Sequence, residues 1–228
     1  MLRLSVVIPA YNQDELILDH VTACAAARRL PDEVIVVDDC GKPGLREKLA
    51  SRDWPFPLIV IRVLKDIPWN QSGARNIGWT TSIGDVISFE DADHFPQPSY
   101  YSKAIELFHM TAATLVRSTR VMGSHVLPAP QGVCVIRRIA LAAVGGYDED
   151  FCGHYGYEDC LLLRQLRQHF PNTFRAIKRE TRVIEHGSTR VLDRDTTRNK
   201  KLLQTKLTET MNSGSIIRFP YQIAISTK

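Results

Sequence analysis

The sequence predicts an α/β protein built on a mixed, mostly parallel sheet flanked by helices. Three observations carry this: short β-branched apolar runs alternate with helix-length stretches through the N-terminal half, acidic or other polar residues follow several of those runs, and 44% of the 228 residues are apolar. Nearly uninterrupted apolar runs are what strands covered on both faces require. A chain of this size and composition supports one compact domain, or one with a small appendage, and excludes a disordered or fibrous protein.

Leu4 to Ile8 reads as the first strand, followed by a helix around Asp14 to Arg29 and a strand from Glu33 to Val37 that ends in Asp38-Asp39. A helix near Leu45 to Ser51 leads to a strand from Leu58 to Leu64. Next come a helix around Ser72 to Thr81 and a strand from Asp85 to Phe89 that runs into Glu90-Asp91-Ala92-Asp93. This alternation predicts parallel pairing through crossover helices. Open α/β sheets bind ligands beyond the carboxyl ends of their strands, so Tyr11-Asn12, Asp38-Asp39 and Asp91-Ala92-Asp93 are expected along one rim.

The second half is less regular. It reads as a helix from Tyr100 to Thr111, strands near Leu115 to Met122 and Val133 to Arg137, and a short helix before Gly145-Gly146. A helix from about Glu158 to His169, a strand near Val183 to Glu185 and a polar helix from about Thr196 to Thr210 follow. The partly apolar tail from Ile216 to Ile225 has no readable pattern.

Charge is nearly balanced, since 29 Lys+Arg against 25 Asp+Glu leaves +4, which does not argue for nucleic acid. The denser basic stretch from Arg175 to Lys206 suits an anionic nucleotide, an anionic membrane surface or a solvated helix. Five cysteines without a CxxC spacing indicate neither a disulfide framework nor a zinc site, so a reducing cytoplasm is the expected location. The apolar start is too short for a signal peptide, and no uncharged apolar run reaches the roughly 18 residues of a membrane span, leaving peripheral membrane contact open.

Asp91-Ala92-Asp93 sets clustered carboxylates just past a buried strand. Such charge calls for a counter-charge, and a divalent cation on a diphosphate supplies one, because Mg²⁺ and Mn²⁺ take one or two carboxylates with phosphates completing the shell. Asp38-Asp39 could accept from a pyrimidine N–H or a ribose hydroxyl, or close a turn before Gly41. In Asn70-Gln71-Ser72-Gly73-Ala74-Arg75-Asn76-Ile77-Gly78, Asn70 is a plausible helix cap and the small residues permit close backbone approach. Arg75 there could reach a phosphate or brace the carboxylates. Glu158-Asp159 opens a helix after a run of glycines and aromatics, where a carboxylate can serve as general base or simply complement the helix dipole.

Taken in order, Ser5 to Asn12, Val36 to Asp39, Gly73 to Gly78, Asp91 to Asp93, and Gly145 to Glu149 with Gly156 to Asp159 resemble the GT-A fold glycosyltransferases of family 2. These five motifs span residues 5 to about 160. The resemblance implies a Rossmann-like sheet in one domain over 1–228, with 1–95 as the nucleotide-sugar-binding half and 96–228 as the acceptor-binding half. It implies that Pro9, Tyr11, Asp38, Asp39, Gln71 and Arg75 serve the nucleotide sugar together with Asp91 and Asp93. Asp93, Asp91 and His186 would hold Mn²⁺ or Mg²⁺, with Asp93 the direct ligand. Asp159 would be the catalytic base and Glu158 its orienting or acceptor-contacting partner. The implied reaction is inverting transfer from a UDP-sugar to a hydroxyl of a glycan, lipid-linked or protein acceptor, in polysaccharide or glycoconjugate synthesis. His94 departs from the family pattern, in which many members carry a further aspartate at that position. The rival readings are a degenerate sugar-nucleotide-binding module and a nucleotidyltransferase. The second lacks its basic glycine-rich loop, since Pro9-Ala10-Tyr11-Asn12 follows the first strand.

Overall fold

Buried apolar strands at the centre and helices on both faces set the architecture of the computed structural model, which describes residues 1–127, 132–187, 192–208 and 219–226. Strands β1 (Leu4–Ala10), β2 (Glu33–Asp38), β3 (Leu58–Val63) and β4 (Val86–Phe89) pair in parallel in the order β3-β2-β1-β4. They are linked by helices α1 (Asp14–Ala25), α2 (Leu45–Ala50) and α3 (Gln71–Thr81). Every residue of β2 and β4 is buried. Because side chains alternate along a strand, Val6, Ile8, Val34 and Val36 join one core with Ile17 and Val21 of α1, whereas Val7, Ile35 and Val37 join a second with Ala74 and Ile77 of α3. Helix α3 lies directly on β1 at Gly78, where a Cβ would sit 2.3 Å from Val7 Cγ1.

The chain continues through β5 (His94–Pro96), α4 (Tyr100–Met110), β6 (Leu115–Met122), β7 (His125–Leu127), β8 (Cys134–Arg137) and α5 (Arg138–Val144). A 3-10 turn at Glu149–Phe151, α6 (Glu158–His169), β9 (Phe174–Val183), α7 (Thr197–Thr208) and β10 (Tyr221–Ser226) complete it. The sheet extends from β4 through β8, β6, β9 and β5, so the expected mixed α/β architecture is found, with its parallel strands at the centre. No helix among the described residues is long and apolar enough to cross a membrane.

Two local expectations are corrected, and two segments without an assigned element gain one. Helix α1 stops at Ala25 rather than Arg29, because the Arg28 N–H donates to the Pro98 carbonyl at 2.8 Å instead of continuing the helix. Of the strand expected at Val183 to Glu185 only Val183 is in a strand, as the last residue of the ten-residue β9 (Phe174–Val183), whose partly exposed, Arg- and Lys-bearing residues hide the apolar pattern. Segment 94–96, to which the sequence reading assigns no element, is β5 and pairs with β9. The tail forms β10, antiparallel to β3, and covers an edge that would otherwise be open. The end of the polar helix at 209–210 and the start of the tail at 216–218 lie outside the described residues.

Candidate active site

The parallel register aligns Ala10 with Asp38 and Val7 with Phe89, so the residues leaving β1, β2 and β4 emerge on one rim. A cavity of about 770 Å³ opens there, lined among others by Pro9, Tyr11, Asp39, Gln71, Asp91 and Asp93, with His186 arriving from the segment after β9. Seven of the eleven residues singled out in the sequence therefore share one cavity. Asp38, Arg75, Glu158 and Asp159 do not line it.

Asp39 is 7% exposed and receives a hydrogen bond from Asn70 Nδ2 at 2.8 Å. Burial pushes its carboxyl up to about 7, with Asp66 and Asp38 adding to the rise and the Asn70 hydrogen bond opposing it. Asn70 precedes α3 but makes no side-chain cap, since its amide serves Asp39 instead. The adjacent Asp38 turns away: its carboxylate accepts from Arg62 and from the Gly41 N–H at 2.9 Å, which closes the turn after β2.

Past β4, Asp93 and His94 interlock. Arg120 Nη1 lies 2.9 Å from His94 Nε2, and guanidinium can only donate, so Nε2 accepts and the ring's proton sits on Nδ1, 2.6 Å from Asp93 Oδ1. His94 is thus a hydrogen-bond donor to Asp93, and its second nitrogen is already engaged. The other Asp93 oxygen, Oδ2, lies 3.5 Å from His186 Nε2. Burial opposes ionisation of Asp93, but the His94 hydrogen bond and the two nearby imidazoles outweigh it and hold the carboxyl below its ordinary value. The loop is anchored from beneath by His20 of α1, whose ring nitrogens contact Glu90 Oε2 at 2.7 Å and the Ala92 carbonyl at 3.2 Å.

Arg75 joins this rim to the start of α6. Its side chain is 1% exposed and meets Asp91 Oδ1 through Nη2 at 2.6 Å and Asp159 Oδ1 through Nη1 at 2.9 Å. Glu158 Oε1 is 3.8 Å away, and the guanidinium carbon lies 5.1 Å from the centre of the Tyr147 ring. Of the two roles considered for Arg75, bracing the carboxylates is the one its geometry has. Burial raises the Glu158 carboxyl, with Asp159 adding to the rise and Arg75 opposing it. Burial likewise raises Asp159 despite Arg75, while Asp91 adds to it. Asp159 keeps a side chain 20% exposed. Gly132 makes room beside it, because a Cβ there would sit 2.3 Å from Arg75 Nη2 and 3.0 Å from Asp159 Oδ2. Asn76, one residue on from Arg75, fixes the following loop by bonding to both the N–H and the C=O of Tyr147, at 2.9 and 2.8 Å.

Sequence reasoning missed one wall of the cavity. The rings of Trp69 and Tyr155 lie 4.6 Å apart, and the Arg194 guanidinium sits over both, at 5.8 and 5.4 Å. These residues come from three distant segments without motif spacing, so nothing local ties them together. His20 was equally hidden, as one apolar-face histidine of a helix.

An acid-lined cavity beyond the carboxyl ends of the parallel strands lies where open α/β sheets place their ligands. The comparisons specify the class: residues 5–131 match the model of Glycosyl transferase family 2, and the chain belongs to that family. An uncharacterized glycosyltransferase of Haemophilus influenzae is 29% identical over 104 residues, covering 46% of this chain and 34% of its own length. The amylovoran biosynthesis glycosyltransferase AmsB of Erwinia amylovora is 38% identical over 92 residues, 39% of this chain and 30% of its own. These matches span about a third of the relatives' length. In fold, the chain is similar to S. aureus TarS 1-349, crystallised in complex with UDP-GlcNAc, with TM-score 0.77 and 14% identity over 94% of this chain and 68% of that one. It is also similar to a mannosyltransferase from Pyrobaculum calidifontis in complex with GDP-Man and Mn2+, with TM-score 0.64 and 17% identity over 84% and 59%.

Proposed function

We propose that this glycosyltransferase moves a sugar from a UDP-sugar to an acceptor hydroxyl with inversion, assisted by a divalent cation and with Asp159 as general base. Residues 1–95 form the donor half and 96–228 the acceptor half. The observation that carries this reading is the salt-bridged path from Asp91 on the cavity wall through Arg75 to Asp159. It ties a donor-side acid and an acceptor-side acid to one buried cation.

On the donor side, Tyr11 and Asp39 offer an aromatic face and a carboxylate acceptor for a pyrimidine and its ring N–H. Asp93 and His186 suit a divalent cation, because one carboxylate oxygen and one imidazole nitrogen converge at 3.5 Å beside a cavity large enough for a diphosphate. Bound Mn²⁺ or Mg²⁺ would supply Lewis-acid neutralisation of the departing nucleotide. Asp91 contributes less directly, since Arg75 holds one of its oxygens. The complexes of TarS with UDP-GlcNAc and of the Pyrobaculum enzyme with GDP-Man and Mn2+ support a nucleotide-sugar donor and a cation for this fold.

On the acceptor side, Asp159 takes the hydroxyl proton. Its raised carboxyl is a better proton acceptor than an ordinary aspartate, and Arg75 fixes one oxygen so that the other can face the incoming hydroxyl. Glu158 shares the Arg75 field and orients the helix start. A base opposite the leaving nucleotide gives single displacement, hence inversion.

The test is a transfer assay beside a nucleotide titration. Asp159→Asn is expected to bind UDP with Mn²⁺ as the parent does and to lose on the order of 10²-fold or more in kcat. Undiminished transfer by that variant would overturn the assignment of the base.

A further inference from the structure

A second cavity, of about 510 Å³, lies between α6 and α7. Arg164 and Arg167 project from α6 one turn apart, and Leu203 and Leu207 from α7 at i, i+4, so a guanidinium row faces an apolar row. Arg117, Cys160, Leu163 and Gln168 complete the wall, and no carboxylate lines it among the described residues. Arg164 and Arg167 are exposed, with the Arg167 guanidinium 5.2 Å from the centre of the Phe174 ring, and Leu207 is 36% exposed. The groove borders the acceptor side of the active site, since Cys160 lines it directly after Asp159 and the charge of Arg117 acts on Asp159.

We propose that this groove binds the phosphate headgroup and first methylenes of a lipid, so that the Asp159 side of the enzyme faces a membrane surface. Guanidiniums recognise phosphate by paired N–H donors, and the leucines opposite them match hydrocarbon. A soluble polyanion would leave the leucine row without a partner, and an apolar peptide would leave the arginines without one. The acceptor is then one presented at a membrane, which rests on the reading of Asp159 as base.

Co-sedimentation with phosphatidylglycerol vesicles and with phosphatidylcholine vesicles tests this, using the parent chain and the double variant Arg164→Gln/Arg167→Gln. The parent is expected to bind the anionic vesicles selectively. The double variant is expected to bind them on the order of 10- to 30-fold more weakly, at about 1 kcal/mol for each basic residue near such a surface. Titration of both proteins with UDP and Mn²⁺ reports separately on the donor site, so loss of that site and loss of the groove are distinguishable. No binding of the parent to anionic vesicles, or equal binding by the double variant, overturns the proposal. So does full release of the parent from the vesicles by a soluble polyphosphate that the double variant binds equally well.

Discussion

The acids of this site fall into two groups that solve opposite problems. Asp39 and Asp93 line the cavity and are held by an amide and by imidazoles. Asp91, Glu158 and Asp159 surround one buried guanidinium, and that internal cation offsets part of their charge. On the proposed reading, the donor side leaves neutralisation to its ligand, whereas the base beside it draws a permanent counter-charge from the chain.

The sharpest way to break the comparison is to remove the internal cation. Arg75→Gln leaves the carboxylates around it without compensation and is expected to cost about 3–5 kcal/mol, read as a lowered urea midpoint. A double-mutant cycle with Asp91→Asn is expected to recover more than about 1 kcal/mol. Additive losses would show that Arg75 and Asp91 do not act as a pair.

A smaller effect concerns how the bracing helix is seated. Gly78→Ala drives a methyl into Val7, and overpacking of this kind costs about 1–3 kcal/mol. Because the strain acts through α3, which carries Arg75, both stability and kcat are expected to fall while UDP binding changes less. Unchanged thermal unfolding would contradict the close seating of α3 on β1.

The effect at the Asp39 rim depends on pH. Asp39 in the folded chain holds its proton up to about pH 7, against an ordinary 3.8, so its contribution to stability is full below about pH 3.8 and is lost progressively as pH rises from there through about 7. Asp39→Asn is therefore expected to raise Tm by a few degrees at pH 8 and by less at pH 5, while weakening UDP binding at pH 8. A variant that is no more stable at pH 8 than the parent would contradict a costly buried carboxylate there.

Much of the fold and of the donor rim was legible because the signals are local. The runs Ser5 to Ile8 and Glu33 to Val37 declare buried strands, and the acids that follow them inherit their position from the sheet. Register then carries Asp39, Asp91 and Asp93 to one rim without further information. What stayed hidden depends on contacts between distant segments. Asn70 looks like a cap until Asp39 is seen beside it, and Trp69, Tyr155 and Arg194 share no spacing. Strand β9 exposes Lys178, Arg179 and Arg182, so its pairing with β6 decides its conformation more than its own pattern does. For His94, a tautomer fixed by Arg120 could not be foreseen from the motif alone.

Calorimetric titration of UDP, with Mn²⁺ and with chelator, into the parent and into Asp93→Asn reaches the central claim most directly. Asp93 as the acid that couples cation to nucleotide predicts tight binding by the parent only when Mn²⁺ is present, and loss of that Mn²⁺ enhancement in Asp93→Asn. Equal UDP affinity in chelator and in Mn²⁺, or an enhancement that survives in Asp93→Asn, would contradict it.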